Sequence, residues 1–246
     1  MTSQTRRPLT LAAAAIGVLL VVGGLFGLWY LFFRPSGPAA VGSTAAPLPS
    51  LAAGASAAPL SGGIDGTWKV DTSIGSFAKF TDSFVGYRIQ EELAGIGGNE
   101  VVGRTPAVSG SMKIAGTQVT EATIEADLTG LTTDDSNRDR QLVRQGIQTG
   151  QFPTATFKLT SPIELGSVPV DGKSVDVTAK GQFTLHGQTK DVEVPMKAVL
   201  SGNTVVLTGS LPIVLADYGI DKPNSFKVLS IADSGKMELQ IFFTKG

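Results

Sequence analysis

The 246-residue chain has no cysteine and a single histidine, His186. The first absence rules out disulfides, thiolate-bound zinc, thiol nucleophiles and a lipid-modified N-terminal cysteine. The second rules out any metal site built from several imidazoles. Acidic residues are missing from the whole stretch ahead of Asp65, where Arg6, Arg7 and Arg34 are the only charges. A basic excess is missing too, since 20 Lys and Arg stand against 21 Asp and Glu. Setting the leading segment aside leaves 17 positive and 21 negative charges, a net of −4. Such a balance argues against nucleic acid as a partner, because phosphate neutralisation needs a basic patch.

What is present first is a long apolar run. Residues 9–33 carry no charge, and 20 of the 25 are apolar, with Thr10 and four glycines making up the rest. A helix of this length would extend roughly 37 Å at ~1.5 Å per residue, enough for a hydrocarbon core of about 30 Å. Secretory signals have shorter apolar regions, roughly 7–15 residues, followed by small residues at a cleavage site. Here Trp29 and Tyr30 close the run and Arg34 follows it, as an aromatic belt and a charge do where a helix leaves the bilayer. The run reads as a retained transmembrane anchor, with a cleaved signal as the alternative. Arg6 and Arg7 favour a cytoplasmic N-terminus, so residues 1–8 become a cytoplasmic tail and the bulk of the chain faces outward. The expected location is the plasma membrane, crossed once. Gly23 and Gly27 form a G-x-x-x-G spacing through which two copies could pair as a homodimer, although a plain lipid-facing helix is the favoured reading because a glycine-rich span produces the pattern easily by chance.

Residues 34–65 carry only two charges, Arg34 and Asp65, at their ends and are rich in Pro, Ala, Gly and Ser. Such a segment buries too little apolar area to offset its chain entropy and is expected to be a disordered tether. About 30 flexible residues reach on the order of 30 Å.

Over residues 66–246 the period changes to two. Val175, Val177, Ala179, Gly181, Phe183 and Leu185 alternate with Asp176, Thr178, Lys180, Gln182 and Thr184, which gives a strand one apolar and one wet face. Val192, Val194, Met196 and Ala198 repeat the pattern, as do Ile124, Ala126 and Leu128, then Ala155, Phe157 and Leu159, and finally Met237, Leu239, Ile241 and Phe243. Turn residues intervene at Ala115-Gly116, Asp171-Gly172-Lys173, His186-Gly187-Gln188 and Gly202-Asn203. Roughly eight such strands indicate an all-β antiparallel sandwich or barrel. One helix interrupts them, with Ser136 as its expected cap, Asp139 three residues on, and Gly146 at its end.

The segments Asn137-Arg138-Asp139-Arg140-Gln141-Leu142 and Phe152-Pro153-Thr154-Ala155-Thr156-Phe157 resemble the helix and following strand of the YceI family. Leu185-His186-Gly187-Gln188-Thr189-Lys190-Asp191-Val192 is similar to that family's Leu-x-Gly-x-Thr-Lys hairpin. Asp217-Tyr218-Gly219-Ile220 and Gly66-Thr67-Trp68-Lys69-Val70-Asp71 match its late loop and its first strand. The resemblance implies a lipocalin-like barrel of about eight antiparallel strands around an apolar cavity, with a polyisoprenoid or isoprenoid quinone as the bound lipid. It implies no catalytic residue, no metal and no cofactor. Carried onto the apolar faces above, it gives Ile124, Ala126, Leu128, Phe157, Leu159, Val177, Phe183, Leu185, Val194, Met196, Leu239 and Ile241 as lipid-contacting residues. Many members carry a His-Ser pair after the first strand and a histidine in the second. Thr72-Ser73 and Arg88 or its neighbours stand there in this chain, so the head group does not carry over.

The residues alone leave the interior open, since an eight-stranded barrel is either filled by its own side chains or holds one small guest. Ala126, Ala155, Ala179, Gly181 and Ala198 among the inward positions permit a hollow. His186 is expected as an exposed turn residue. A Ser or Thr, this imidazole and a carboxylate such as Asp191 would have to converge for hydrolysis, and no G-x-S-x-G run is present. Asp134, Asp135 and Asp139 read as helix-capping groups rather than a Ca²⁺ site, and Glu91 and Glu92 as a solvated strand end. The expected activity is binding without catalysis. A filled envelope module and a lipid-modifying enzyme are the alternatives.

Overall fold

The computed structural model describes residues 37–41, 63–223 and 228–246, together with Val21 and Gly24. The expected anchor over residues 9–33 lies outside the described residues apart from those two positions. Among the described residues no helix is long and apolar enough to cross a membrane.

Alternating polarity builds one antiparallel sheet. Its strands are β1 (Gly66–Val70), β2 (Phe84–Leu93), β3 (Gly97–Thr105), β4 (Val108–Ala115), β5 (Gln118–Asp127) and β6 (Thr154–Leu159). They continue as β7 (Ile163–Glu164), β8 (Ser174–Leu185), β9 (Gln188–Ser201), β10 (Thr204–Val214) and β11 (Val228–Lys245). Eight of these close a ring. β1 pairs with β4, the path runs through β5, β6, β8, β9 and β10 to β11, and β11 returns to β1 through Trp68↔Lys245 and Val70↔Phe243. The other three decorate the ring. The β2–β3 hairpin adds to β11 where β1 has ended, and the two-residue β7 adds to β5.

The facing of each strand follows its pattern. On β8, Asp176, Thr178, Lys180 and Gln182 are exposed while Ala179 and Phe183 are buried. Its outward charges meet β9 in register, with Lys180 2.9 Å from Glu193 and Lys197 bonded to Asp176. Such cross-strand pairs add little energy, but like charges there would oppose the pairing. At Gly181 a Cβ would stand 2.4 Å from the Phe157 ring, so the missing side chain makes room for an aromatic from β6.

The two ends of the barrel differ. One carries the β4–β5 and β9–β10 turns and the connection from β6 to β8. The other carries the β2–β3 and β8–β9 turns, the helix α1 (Ser136–Arg144) and a 3-10 turn over Leu215–Tyr218. α1 is capped one residue earlier than its sequence suggests. Asp135, not Ser136, is the N-cap, and its side chain accepts from the Asn137 N–H at 2.7 Å. Asp139 reaches back to the N–H and hydroxyl of Thr133, so the acidic residues here serve helix geometry.

The tether also differs from expectation at two places. Residues 37–41 pack on the outside of β2, β3 and β11, and Ile64 is buried in the barrel core. The ordered domain thus recruits chain that composition alone assigns to a linker.

Candidate lipid-binding cavity

Toward the β4–β5 end the barrel interior is hollow, with a cavity of about 90 Å³. A single water requires ~10–15 Å³, so the space is several times that of one solvent molecule. All eight ring strands contribute to its wall, from Trp68 on β1 to Phe243 on β11. Ile163, Leu165 and Pro169 from the β6–β8 connection and Ile64 ahead of β1 close over it. Every lining side chain is apolar. The one polar atom among them, the Trp68 indole N–H, donates to the Ile64 carbonyl at 2.9 Å and offers nothing to a guest. A wall without an unpaired donor or acceptor holds water poorly and favours an apolar occupant. Outside it, Val168 and Val170 are 55% and 59% exposed on either side of Pro169, giving the rim an apolar edge.

Seven of the residues expected to contact lipid stand on this wall: Ile124, Phe157, Leu159, Val177, Val194, Met196 and Leu239. The other five do not. Ala126, Leu128, Phe183 and Ile241 are buried in the core and Leu185 packs against it, yet none lines the cavity. Ile241, between Leu239 and Phe243 of the wall, is fully packed, and for the other four alternation tells which face of a strand a residue occupies and nothing about its height along the barrel axis. At the α1 end the interior is filled, and there Phe183 meets the Tyr218 ring edge-on at 5.7 Å. Sequence reasoning missed Met112, Ile114, Val119 and Ala122, which line the cavity from β4 and β5. Val108, Met112 and Ile114 recur at even spacing, a signal of period two interrupted by Gly110.

The filled end overturns two expectations. His186 is buried rather than exposed. Its ring lies 4.2 Å from that of Phe152, and its Nδ1 is 2.9 Å from the Tyr218 carbonyl oxygen. The 3-10 turn folds over the hairpin and covers it, an arrangement local sequence does not reveal. Its Nδ1 is engaged by a backbone carbonyl, and among the described residues its Nε2 has no hydrogen-bond partner, so no serine or threonine hydroxyl is bonded to it. Glu91 is the second. It is 6% exposed and accepts from Arg138 of α1 at 2.7 Å and from Asn99 at 2.8 Å. Arg138 also bonds Asp134, so this single guanidinium latches α1 to the β2–β3 hairpin.

The architecture is that of the small closed β-barrels, whose interior is filled or holds one small guest. The chain belongs to the YceI-like domain family, whose model matches residues 68–243. A UPF0312 protein of Vibrio parahaemolyticus is 29% identical over 142 residues, covering 54% of this chain and 71% of its own length. A UPF0312 protein of Shewanella sp. strain ANA-3 is 28% identical over 138 residues, with 52% and 69% covered. Among solved structures, a polyisoprenoid binding domain from Saccharophagus degradans superposes with a TM-score of 0.56 at 17% identity, covering 74% of this chain and 99% of that one. BcnA of Burkholderia cenocepacia gives 0.51 at 21% identity, with 70% and 98% covered. At these identities the two structures speak for the fold.

Proposed function

We propose that this protein is an extracytoplasmic binding protein, tethered to the plasma membrane by residues 9–33, that holds the tail of a long-chain isoprenoid lipid in the barrel cavity. The observation that carries the reading is the wall itself, in which every lining side chain is apolar and the only indole N–H is already bonded within the chain. Such a site selects its guest by shape and desolvation, gaining about 0.8 kcal/mol per buried CH₂. The Saccharophagus domain of the same fold, described as polyisoprenoid binding, supports the choice of a prenyl tail. The packed α1 end makes the hollow blind on that side, so the tail enters at the β4–β5 end and the head group stays near the Val168–Val170 rim. No chemistry is assigned to the site.

The test is extraction of the purified full chain with organic solvent and identification of lipid by mass spectrometry, with Ala179→Phe as the control. A stoichiometric isoprenoid present in the native chain and lost in the variant is the expected result. Absence of any such lipid, together with failure to take up added prenyl quinone, overturns the reading.

A further inference from the structure

Strand β11 has a second buried face. Met237 and Leu239 point to the cavity, while Glu238 between them faces outward and is only 1% exposed. Two guanidinium groups flank it. Arg88 approaches through Nε at 3.2 Å and Nη2 at 3.3 Å, and Arg104 lies 3.7 Å away. Both arginines are themselves buried, at 7% and 4% exposure. Arg88 has a further partner in Glu100, and Arg104 lies 4.0 Å over the Phe84 ring. Two buried cations around one buried carboxylate leave donors over, and buried donors are costly without acceptors.

Residues 37–41 supply an acceptor to each arginine, and Arg104 Nε alone of these donors stays buried without a partner among the described residues. Arg88 Nη2 donates to the Pro38 carbonyl at 2.7 Å, and Arg104 Nη2 donates to the Ala39 carbonyl at 3.2 Å. In return the Val41 N–H donates to Glu238 Oε1 at 3.2 Å. Every one of these contacts is made to backbone, so the groove reads a main chain and not particular side chains. The occupant lies across the face, with Gly37 and Ala39 exposed, Pro38, Ala40 and Val41 half-buried, and Gly37 against Val102.

We propose that the Arg88–Arg104–Glu238 face is a docking site for an extended peptide main chain, and that its occupant is this chain's own linker at residues 37–41. The occupied dock makes the barrel domain begin at Gly37, and a linker pinned there cannot use its whole length as a leash. The assignment is independent of what the cavity binds.

Hydrogen exchange on the full chain in detergent micelles tests it. The expected result is a Val41 amide exchanging at least ~10-fold slower than an unstructured chain. The Arg104→Met substitution, which removes the donor to the Ala39 carbonyl and leaves Glu238 paired with Arg88, is expected to speed exchange of that amide while amides of β8 and β9 keep their protection. Free-chain exchange of Val41 in the native protein overturns the proposal. Protection that survives Arg104→Met overturns the reading of the main chain by the paired arginines, and protection that rises with protein concentration overturns the assignment to the chain's own linker.

Discussion

The cavity end and the α1 end of the barrel are built from the same strands, yet they use sequence in opposite ways. The α1 end is made of recognisable words. Phe152, His186-Gly187 and Tyr218-Gly219 come from three separate motifs and meet in one cluster, where the Phe152 ring sits against His186 and a Cβ on Gly187 would stand 2.9 Å from that ring. Arg138, from a fourth motif, latches the helix to Glu91. The cavity end has almost no such words. Apart from Trp68 and Phe157, which two further motifs supply, and Phe243 and Pro169, its wall is Val, Leu, Ile, Ala and Met at positions where the side chains fall short of filling the space. Turns, caps and buried polar pairs demand particular residues, whereas a hollow is a deficit of volume that many sequences satisfy. Most of the family's signature therefore marks the plug of this barrel, with Trp68 and Phe157 its contribution to the cavity, where the proposed function lies.

The largest effect that separates the ends is expected at Ala179, which is fully buried and lines the cavity. An Ala179→Phe ring occupies space that would otherwise take about six lipid carbons, and at ~0.8 kcal/mol per CH₂ this costs binding roughly 5 kcal/mol, on the order of a thousandfold. The fold should lose no more than about 1–3 kcal/mol from crowding. A binding titration beside a denaturant melt reads both, and equal affinity in the variant would show that the tail does not occupy the hollow. Next in size is Trp68→Ala, which removes a fully buried indole from the cavity wall and its bond to Ile64. About 3–5 kcal/mol of stability should go with it.

The fold was legible because alternation is a local signal. β8 and the start of β9 were visible as facing sets of apolar and polar residues, and their turn at His186-Gly187 falls where the sequence placed it. The count of about eight matches the closed ring, while the β2–β3 hairpin, with its run of Gly97 and Gly98, gave no clear pattern. Site residues were half legible. Seven of twelve reach the cavity wall because facing is local, and four do not because height along the axis depends on how the strands stagger; Ile241, between Leu239 and Phe243 on the wall, is fully packed instead. His186 and Glu91 were misread for the same reason. Each is buried by an element distant in sequence, the Leu215–Tyr218 turn in one case and α1 in the other.

That dependence predicts a mid-sized effect at the latch. Replacing Glu91 by Ala leaves Arg138 with Asp134 and the Thr133 hydroxyl and removes the acceptor for Asn99. Loss of one partner of a fully buried pair costs about 3–5 kcal/mol, and since Arg138 keeps an exposed partner the expected cost is about 2–3 kcal/mol. Binding at the far end should stay within twofold. A matching loss of lipid affinity would mean that the plug shapes the cavity, and the division between the ends would fail.

The smallest expected effect lies at the Asp135 cap of α1. Its carboxylate accepts from the Asn137 N–H, which holds its pKa below the ordinary aspartate value. A carboxyl depressed in the folded state stabilises it above the unfolded value near 3.9 and loses that contribution as acid protonates the folded form. Asp135→Ala should therefore cost about 1 kcal/mol at pH 7. The difference should persist down to about pH 5 and shrink below pH 4, until variant and native chain melt together. Arg138, in the first turn of α1, keeps its bond to Glu91 in both. A gap that stayed constant into acid would place the cap's contribution in backbone geometry, and would remove charge from the account of how the plug is held.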